Sequence, residues 1–251
     1  MPNPLNPQDR RILLICGVFV IVASFAAALW VPAPQTTPRF FPSSYSAAPG
    51  GAKAAFLLLS EMGCKVERWS RPPQDLPAVA QGVVLILADP WFRPSFQEKS
   101  QILDFMRRGG LVLATGPAGA AILSMGPVIV HAGTDPNASA FSPELPGRIS
   151  WHAPKIRIES ATRLGLLTPD QVRYYGDRDG AAVVSFALGS GEAVWWAGSF
   201  PLTNDGIEQA SNLELFVNSV SLGTSKRVLW DEYFHGERAG LGSYLARTPL
   251  P

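Results

Sequence analysis

Runs of apolar residues alternate with helical patterns along most of the chain. The segment G-V-V-L-I-L-A-D-P is a continuous aliphatic run ending in Asp89, which is typical of a central strand covered on both faces. A similar run, L-V-L-A-T-G, follows a segment of helical spacing that ends at Gly109-Gly110. This strand–helix–strand order predicts a parallel sheet, because such crossovers are how parallel strands connect. The predicted apolar face of the helix consists of Ile102, Leu103, Phe105 and Met106.

Other elements on both sides of this unit have equally regular patterns. A-K-A-A-F-L-L-L-S-E-M-G predicts a helix that ends at Gly63, and C-K-V-E-R-W predicts the strand after it. A-A-V-V-S-F-A-L and E-A-V-W-W-A-G-S-F predict two strands joined by a hairpin turn at Gly189-Ser190-Gly191. R-V-L-W-D-E-Y predicts the last strand of the sheet. The helix before it is predicted to bury Leu213, Phe216, Val217 and Val220.

The first 51 residues have a different pattern from the rest. Between Ile12 and Val31 only Ser24 is clearly polar, and roughly 20 apolar residues suffice to span a bilayer core. Arg10 and Arg11 precede this run, so the positive-inside rule predicts a cytoplasmic N-terminus and an extracytoplasmic domain. A cleaved signal peptide is the alternative, although its apolar core would be only about 7–15 residues long.

The sequence thus predicts a single-pass protein of the plasma (inner) membrane that carries one α/β domain. A proline-rich stretch after the apolar run is typical of an extended tether. Part of the domain, about 117–180, is predicted to be an insertion of short strands and long loops. The predicted segments are a cytoplasmic N-terminus (1–11), a transmembrane helix (12–31), a tether (32–51), the α/β domain (52–236) and a C-terminal tail (237–251).

Charge and cysteine content narrow the functional classes. The chain has 21 basic and 20 acidic residues, and without Asp9, Arg10 and Arg11 the numbers are equal at 19 each. Since there is no basic block, nucleic-acid binding and strong attachment to anionic lipid are not expected. The two cysteines are separated by the predicted membrane boundary. Cys64 is predicted to be a small residue at the start of a strand, with an intermolecular disulfide as the alternative.

The segment R-V-L-W-D-E-Y-F-H-G carries the clearest candidate chemistry. Asp231, Glu232 and His235 could act as acid, base or ligands of a divalent metal, and no other cofactor is predicted. The i, i+4 spacing of Asp231 and His235 places them together only in a helix, whereas a strand directs Asp231 and Glu232 to opposite faces. A Ser199–His235 hydrolase pair is another alternative, but G-S-F lacks the glycine pattern of a nucleophile elbow.

A structural role is the competing interpretation of the same segment. A carboxylate at a strand end can accept hydrogen bonds from a loop, and we expect Asp231 to do so for the T-N-D loop, with His235 paired to either acid. The carboxyl ends of strands in doubly wound sheets also form the usual ligand crevice. The residues predicted to line it are Tyr45, Ser46, Asp89, Thr115, Ser199, Thr203, Asn204 and Asp205, beside the acids and His235.

The tryptophans are predicted to be mainly core residues. Trp195 and Trp196 are adjacent on a strand and should pack on its two faces. Trp69 and Trp91 lie at strand ends, where core packing and an exposed platform for a sugar or peptide are both compatible with the pattern.

Several of these segments together resemble a bacterial family known as domain of unknown function 4350. The resemblance lies in the N-terminal apolar run, S-S-Y-S-A-A-P-G-G-A-K-A-A-F-L-L-L-S-E-M-G, the Gly109-Gly110 junction, G-S-G-E-A-V-W-W-A-G-S-F-P-L-T-N-D, the Asn212 helix and W-D-E-Y-F-H-G. It implies a flavodoxin-like, class I glutamine amidotransferase-like three-layer sandwich with a mostly parallel sheet. Members commonly carry a second membrane helix after the His-Gly motif, so residues 237–251 would lead to one in a longer chain.

The resemblance implies location and partners more than chemistry. The family's genes are often adjacent to those of MoxR-type AAA+ ATPases and other membrane proteins, which are the implied partners beside the lipid bilayer contacted by residues 12–31. Amidotransferases of this fold need a cysteine on a sharp turn after a strand, whereas Cys64 precedes a strand. An amidotransferase mechanism is therefore excluded.

The sequence favours a membrane-anchored, extracytoplasmic, non-catalytic module that binds a ligand or partner within a membrane-associated complex. The alternative is a cell-envelope hydrolase or metal-dependent enzyme that uses Asp231, Glu232 and His235.

Overall fold

A computed structural model of the protein describes residues 42–130, 140–221 and 227–236. The predicted transmembrane helix at 12–31 and the tail at 237–251 lie outside these residues. None of the helices that are described has both the length and the apolar character needed to cross a bilayer. The described residues all fall in one unit, residues 40–251.

The described part of the chain contains four α-helices, two short 3-10 helices (Pro73–Asp75 and Phe200–Leu202) and eleven strands. The helices are α1 (Lys53–Glu61), α2 (Phe96–Arg107), α3 (Gly116–Ile122) and α4 (Asn212–Val220). The first strands are β1 (Lys65–Trp69), β2 (Val83–Leu87), β3 (Leu111–Thr115), β4 (Val128–Val130), β5 (Ala140–Phe141) and β6 (Ile156–Arg157). They are followed by β7 (Thr162–Leu164), β8 (Gln171–Asp177), β9 (Gly180–Leu188), β10 (Gly191–Trp196) and β11 (Arg227–Asp231).

Nine strands form one mixed sheet, in the order β1-β11-β2-β3-β10-β9-β7-β4 with β8 paired to β9. The four pairings from β1 to β10 are parallel, and the remaining pairings are antiparallel. The fold is therefore α/β with a parallel half and an antiparallel half. The antiparallel half arises because the β9–β10 hairpin reverses the chain and adds strands from residues 128–188.

The predicted central strands and their crossover helix are confirmed. Every residue of β2 and β3 is buried, which explains their uninterrupted aliphatic sequences. The helix α2 begins with a capping box, in which Ser95 and Glu98 each bond the other's backbone N–H. Its residues Ile102, Phe105 and Met106 are buried, and Leu103 packs against the core at its margin.

The predicted buried face of the last helix is partly wrong. The helix α4 begins at Asn212 and buries Asn212, Leu215, Phe216, Ser219 and Val220, a regular i, i+3, i+4 series. Leu213, predicted to be in the core, is 39% exposed, and Val217 is only partly buried. The rotation follows from Asn212, whose side chain bonds backbone groups of Arg157 and Gly206 and so fixes a polar residue inside.

Residues 117–180 contain several short strands, together with two elements that the sequence did not indicate. Gly116–Ile122 forms the helix α3, which starts directly after β3. Gln171–Asp177 forms β8, a strand of 7 residues that pairs with β9. The two shortest strands, β5 and β6, pair with each other in a separate two-stranded sheet.

The last strand lies inside the sheet and not at its edge. Strand β11 is hydrogen-bonded to β1 on one side and to β2 on the other, and both pairings are parallel. Its Trp230 is buried and packs edge-to-face against Phe56 of α1 and Phe216 of α4, at ring distances of 6.2 and 6.4 Å. The acidic and histidine residues after Trp230 therefore emerge inside the parallel half, between the ends of β1 and β2.

Candidate functional site

Glu232 is the centre of a buried polar group at the carboxyl end of β11. The whole residue is 0% exposed. Its Oε1 accepts hydrogen bonds from the backbone N–H and the hydroxyl of Ser44, both at 2.6 Å. Its Oε2 accepts one from the hydroxyl of Ser43 at 3.0 Å and is 3.1 Å from Nδ1 of His235. Both oxygens of this carboxylate are thus bonded to groups of the protein itself.

His235 bridges two strand ends. Its Nδ1 faces the Glu232 carboxylate, and its Nε2 is 2.7 Å from the carbonyl oxygen of Ala88, just beyond β2. Because the Glu232 carboxylate and the Ala88 carbonyl are both acceptors, the contacts fit an imidazolium that donates from both ring nitrogens. The side chain is only 3% exposed. His235 therefore connects β11 to β2 by two charge-assisted bonds.

Asp231 is buried in the same group but has a different role from the predicted one. Its Oδ2 accepts a hydrogen bond from the backbone N–H of Phe234 at 3.2 Å, and it does not bond the T-N-D loop as expected. Backbone bonds from His235 N–H to Glu232 and from Gly236 N–H to Tyr233 close a turn over residues 232–236, so the segment is neither the helix nor the continued strand considered from sequence. The turn brings Glu232 and His235 together, with Asp231 alongside.

The electrostatics of these three residues follow from burial and mutual contact. Burial raises the pKa of Asp231 to about 7, although the nearby His235 acts in the opposite direction. Burial also works against the charged form of Glu232, but hydrogen bonds from His235 and Ser44 outweigh it and lower its pKa. For His235, burial would lower the pKa, and the bond to Glu232 with the charges of both acids raises it instead. Glu232 and His235 therefore form an ion pair.

The serines bonded to Glu232 belong to the N-terminal loop, residues 42–52, which precedes α1. Arg68 of β1 also binds Ser44. Its Nε donates to the Ser44 hydroxyl at 3.0 Å and its Nη2 to the Ser44 carbonyl at 3.1 Å. Its guanidinium also stacks on the ring of Tyr45 at 4.5 Å. Part of the stretch assigned to the tether is thus bonded to the domain.

The T-N-D loop holds the other half of the N-terminal loop. The Asn204 side chain donates to the carbonyls of Ser46 and Ala48 at 3.0 and 2.6 Å and accepts from Ala54 N–H at 2.8 Å. Backbone bonds run from Asn204 to Gly51 and from Asp205 to Pro49. The T-N-D loop and the W-D-E-Y-F-H-G segment therefore hold the same loop from two sides.

Replacing Asn204 with alanine should loosen that loop. We expect the free energy of unfolding to fall by about 1–3 kcal/mol, because the carbonyls of Ser46 and Ala48 each lose one of their donors and the Ala54 N–H loses its acceptor. Chemical unfolding gives the stability, and hydrogen exchange should show faster exchange at Ala54. Asn204→Asp keeps the acceptor for Ala54 and loses both donors, so it should also be destabilised. An unchanged unfolding midpoint in Asn204→Ala would mean that other contacts hold the loop.

Two of the predicted ligand residues, Asp89 and Thr115, lie together at the ends of β2 and β3. Asp89 and Thr115 are joined, because Asp89 N–H donates to the buried Thr115 hydroxyl at 2.8 Å. Asp89 has a positive φ of 52°, and its carboxylate lies against Gly116, where an added Cβ would be 2.4 Å from Oδ1. Burial raises the pKa of Asp89, with His235 acting in the opposite direction. These residues shape the start of α3.

Two clefts open at this edge, and predicted site residues line both. The first, about 400 Å³, lies beside the N-terminal loop and is lined by Pro49, Gly50, Glu159, Ser199, Phe200, Thr203 and Asp205. The second, about 590 Å³, is lined by Asp89, Arg93, Pro94, Lys99, Pro117, Ala118, Ala121 and Ile122. Of the predicted ligand residues, Ser199, Thr203 and Asp205 thus share the first cleft, and Asp89 lies in the second.

The chemical alternatives find little support in this geometry. In the described part of the chain, no group of three or more His, Cys, Asp and Glu side chains is arranged to hold a metal ion. Both nitrogens of His235 are already directed at Glu232 and Ala88, so neither is placed to take a proton from Ser199. Cys64 is a free, partly buried thiol at the start of β1.

The tryptophan predictions are confirmed for the core. Trp195 and Trp196 are both 0% exposed, and Trp69 is 2% exposed, with the Arg71 guanidinium stacked on its ring at 3.8 Å. Trp91 differs, because 55% of its surface is exposed. The platform interpretation therefore remains a prediction for Trp91 alone.

Ser43, Ser44 and Arg68 are residues of the site that sequence reasoning missed. Ser43 and Ser44 stand in the S-S-Y-S stretch, which was assigned to the tether because of its prolines. Arg68 lies in a strand of alternating pattern and gave no signal of its own. The signal available was the uncompensated pair Asp231–Glu232 at a buried strand end, which requires donors from elsewhere in the chain.

Comparison with solved structures gives partial overlaps at low identity. A protein from Thermoplasma acidophilum, described as one of the subunits of a GMP synthase, is 12% identical, with a TM-score of 0.49, over 66% of this chain and 84% of that one. The N-terminal domain of mmIFT52 is 14% identical, with a TM-score of 0.45, over 60% and 81%. A cytoplasmic protein from Salmonella typhimurium is 14% identical, with a TM-score of 0.37, over 55% and 70%.

Comparison of sequences identifies a family. No curated protein matches the chain. The family described as "Domain of unknown function (DUF4350)" matches residues 44–220, more than half of the 251 residues. The match begins at Ser44, the serine that donates both 2.6 Å bonds to Glu232, and includes the T-N-D loop and α4. The chain belongs to the DUF4350 family.

Proposed function

We propose that the protein is a membrane-anchored, extracytoplasmic, non-catalytic module that binds a ligand or partner within a membrane-associated complex. The contacts of Glu232 and His235 within the protein are the main support for a non-catalytic role. Their side chains are 0% and 3% exposed and bond each other, the N-terminal loop and the end of β2. A general acid or base must reach its substrate, and these groups are covered and fully engaged.

We further propose that the domain is flavodoxin-like, in the three-layer form of class I glutamine amidotransferases. The order of the parallel strands supports this. If β11 is counted as strand 1 and β1, β2, β3 and β10 as strands 2 to 5, the observed order β1-β11-β2-β3-β10 becomes 2-1-3-4-5. That is the flavodoxin-like order, with the first strand moved to the end of the chain.

This order gives the C-terminal turn a defined place. Ligands of doubly wound sheets bind where the strand order reverses, which in this numbering lies between β11 and β2. Here His235 bonds Ala88 after β2, and the carbonyl of Phe234 accepts bonds from Trp91 and Phe92 N–H at 3.2 and 2.9 Å. The chain's own turn therefore fills the usual crevice, which favours a binding site beside it over a reaction within it.

The cleft beside the N-terminal loop is the proposed ligand site. It is open, measures about 400 Å³, and combines the hydroxyls of Ser199 and Thr203 with the carboxylates of Glu159 and Asp205. Its wall at Pro49 and Gly50 belongs to the loop that Glu232 and Asn204 hold in place. The buried polar group thus acts as a support for the cleft.

Location and partners remain part of the same proposal. Residues 12–31 would anchor the chain in the inner membrane with its N-terminus in the cytoplasm, and the polar, net-neutral remainder would face outward. The proposed complex includes membrane proteins associated with a MoxR-type AAA+ ATPase. No nucleic acid is proposed as a partner, because the chain lacks a basic block.

Thermal unfolding of the full chain in nanodiscs tests the cleft. Divalent metals, EDTA, nucleotides and cell-wall fragments would be added to wild type, Asp205→Lys and the matched control Asp75→Lys. Both aspartates are exposed, but Asp75 lies before β2, away from the cleft. We expect a ligand to raise the midpoint of wild type and Asp75→Lys, to have a smaller effect on Asp205→Lys, and to be recovered unchanged by mass spectrometry.

Two results would contradict the proposal. Conversion of a wall fragment to product, lost in a folded Glu232→Gln variant, would favour the hydrolase alternative. If no compound raises the midpoint, wild type, Asp205→Lys and Asp75→Lys are each purified from native membranes together with their bound partners. Equal recovery of the partner with Asp205→Lys and wild type would then remove the cleft from the proposal.

A further inference from the structure

A cluster of exposed aromatic residues follows β2. The aromatic patch, defined here as Trp91, Phe92 and Phe96, has 55%, 39% and 90% of its residue surfaces exposed. Three large aromatic residues within six positions expose apolar surface that a domain surrounded by water normally buries. Because a single exposed aromatic is ordinary and a group of three is not, the patch indicates a surface that contacts something other than water.

The patch is fixed to the edge of the sheet at which the chain enters the domain. The backbone N–H groups of Trp91 and Phe92 donate to the Phe234 carbonyl, and a Cβ added at Gly236 would lie 3.1 Å from Phe92 Cε2. The same turn holds the N-terminal loop through the Glu232 bonds to Ser44. The aromatic patch is therefore connected through one turn to the loop that follows the predicted membrane segment.

Cationic side chains accompany the patch. Arg93 stands between Phe92 and Phe96 in sequence, and Lys99 lies on the first turns of α2. Both line the 590 Å³ cleft, whose other walls are mainly proline, alanine and isoleucine, with Asp89 as its acid. Aromatic rings beside Arg and Lys are the side chains found at the membrane–water interface, where rings lie at headgroup level and cations meet anionic lipid.

We infer that the aromatic patch, with Arg93 and Lys99, rests on the outer surface of the bilayer into which residues 12–31 insert. This rests on the membrane anchor of the proposed function. Only the ten residues 32–41 separate the predicted span from Pro42, and a fully extended stretch of this length reaches about 35 Å. The domain therefore stays close to the membrane, and the face beside the entering chain is the one best placed to touch it.

The overall charge is compatible with this contact. Two cations are too few to bring a free, net-neutral domain to anionic lipid, in agreement with the absence of a basic block. A short tether changes the balance, because it makes the contact intramolecular and raises the effective lipid concentration. The patch thus orients a domain that the anchor already holds near the bilayer.

Photo-crosslinking to lipid tests the inference in the full chain. Position 96 would carry p-benzoylphenylalanine in place of Phe96, and the control would carry it in place of Val79, which is 77% exposed and precedes β2 at the opposite end of that strand. Both proteins are reconstituted in liposomes of phosphatidylcholine with phosphatidylglycerol and irradiated. We expect phospholipid adducts, detected by intact mass, to be several-fold more abundant at position 96.

The charge contribution is tested in the same preparation. Arg93→Gln with Lys99→Gln should lower the adduct yield at position 96 in phosphatidylglycerol liposomes and have little effect in phosphatidylcholine alone. Equal yields at positions 96 and 79, in protein that resists alkaline carbonate extraction, would overturn the aromatic contact and leave the anchor intact. Protein that carbonate releases from the liposomes would overturn both the anchor and the contact.

Discussion

Replacing Glu232 with alanine is expected to destabilise the domain by about 3–5 kcal/mol, the range for removing one partner of a buried ion pair. The change leaves the N–H and hydroxyl of Ser44, the hydroxyl of Ser43 and Nδ1 of His235 without their acceptor. The side chain of His235 is 3% exposed and would remain buried without the Glu232 carboxylate beside it. Equilibrium unfolding in urea measures the loss.

Hydrogen exchange and two further variants locate the effect. The backbone N–H of Ser44 should exchange much faster in Glu232→Ala, because its bond to Oε1 is gone. Glu232→Gln keeps one acceptor oxygen and should lose less stability. Glu61→Ala, at the exposed end of α1, should leave the midpoint within about 0.5 kcal/mol of wild type. A Glu232→Ala protein as stable as Glu61→Ala would disprove the structural role and reopen the catalytic one.

The parallel half of the fold was predictable because its signals are local. Strands β2 and β3 are uninterrupted aliphatic runs, and the capping box and Gly109-Gly110 mark the ends of α2. The hairpin at Gly189-Ser190-Gly191 is equally local. These features depend on residues a few positions apart, so periodicity and turn chemistry were enough to find them.

The position of β11 and the contacts of the candidate site were not predictable in the same way. Periodicity identifies a strand but not its neighbours, so it could not place Arg227–Asp231 between β1 and β2. The bonds from Ser44 to Glu232 join residues 188 positions apart in the chain. The predicted buried face of α4 was wrong for a related reason. Asn212 is buried because it bonds distant backbone groups, but in a hydrophobic pattern an asparagine is read as a surface residue.

The site prediction identified the right residues and divided their roles incorrectly. Asp231 was expected to hold a loop, and that role belongs to its neighbour Glu232, because β11 ends at Asp231 and the chain turns there. The T-N-D loop was expected to receive bonds from the acid. Instead, Asn204 and Glu232 act in parallel on the N-terminal loop. Composition alone could not separate these arrangements, since both use the same residues.

Replacing His235 with alanine is expected to lower the free energy of unfolding by about 2–4 kcal/mol. The change leaves the Ala88 carbonyl without this donor and the Glu232 carboxylate buried without its positive partner. Equilibrium unfolding of wild type and His235→Ala in urea measures this loss of stability. His152→Asn is the matched control, because His152 is exposed and has a positive φ of 52°, which asparagine tolerates.

The effect of His235 should depend on pH in a direction that the ion pair fixes. Bonding to Glu232 and the charges of both acids raise the pKa of His235 in the folded state, against the effect of burial. A raised pKa gives a contribution that is complete below the unfolded value of about 6.5 and is lost as pH rises through the folded value. The stability difference between wild type and His235→Ala should therefore be largest below about pH 6.5 and shrink as the pH rises above that value.

Asp231 contributes to the same titration at lower pH. Its folded pKa of about 7 lies above the ordinary value of 3.8, so its contribution is complete at acid pH and fades as pH rises to about 7. Asp231→Asn removes this part while its amide oxygen can still accept the Phe234 bond. In that background the remaining decline above about pH 6.5 belongs to His235. A difference that stays constant from about pH 6 to 9 would show that the imidazole is neutral and that the Glu232–His235 contact is not an ion pair.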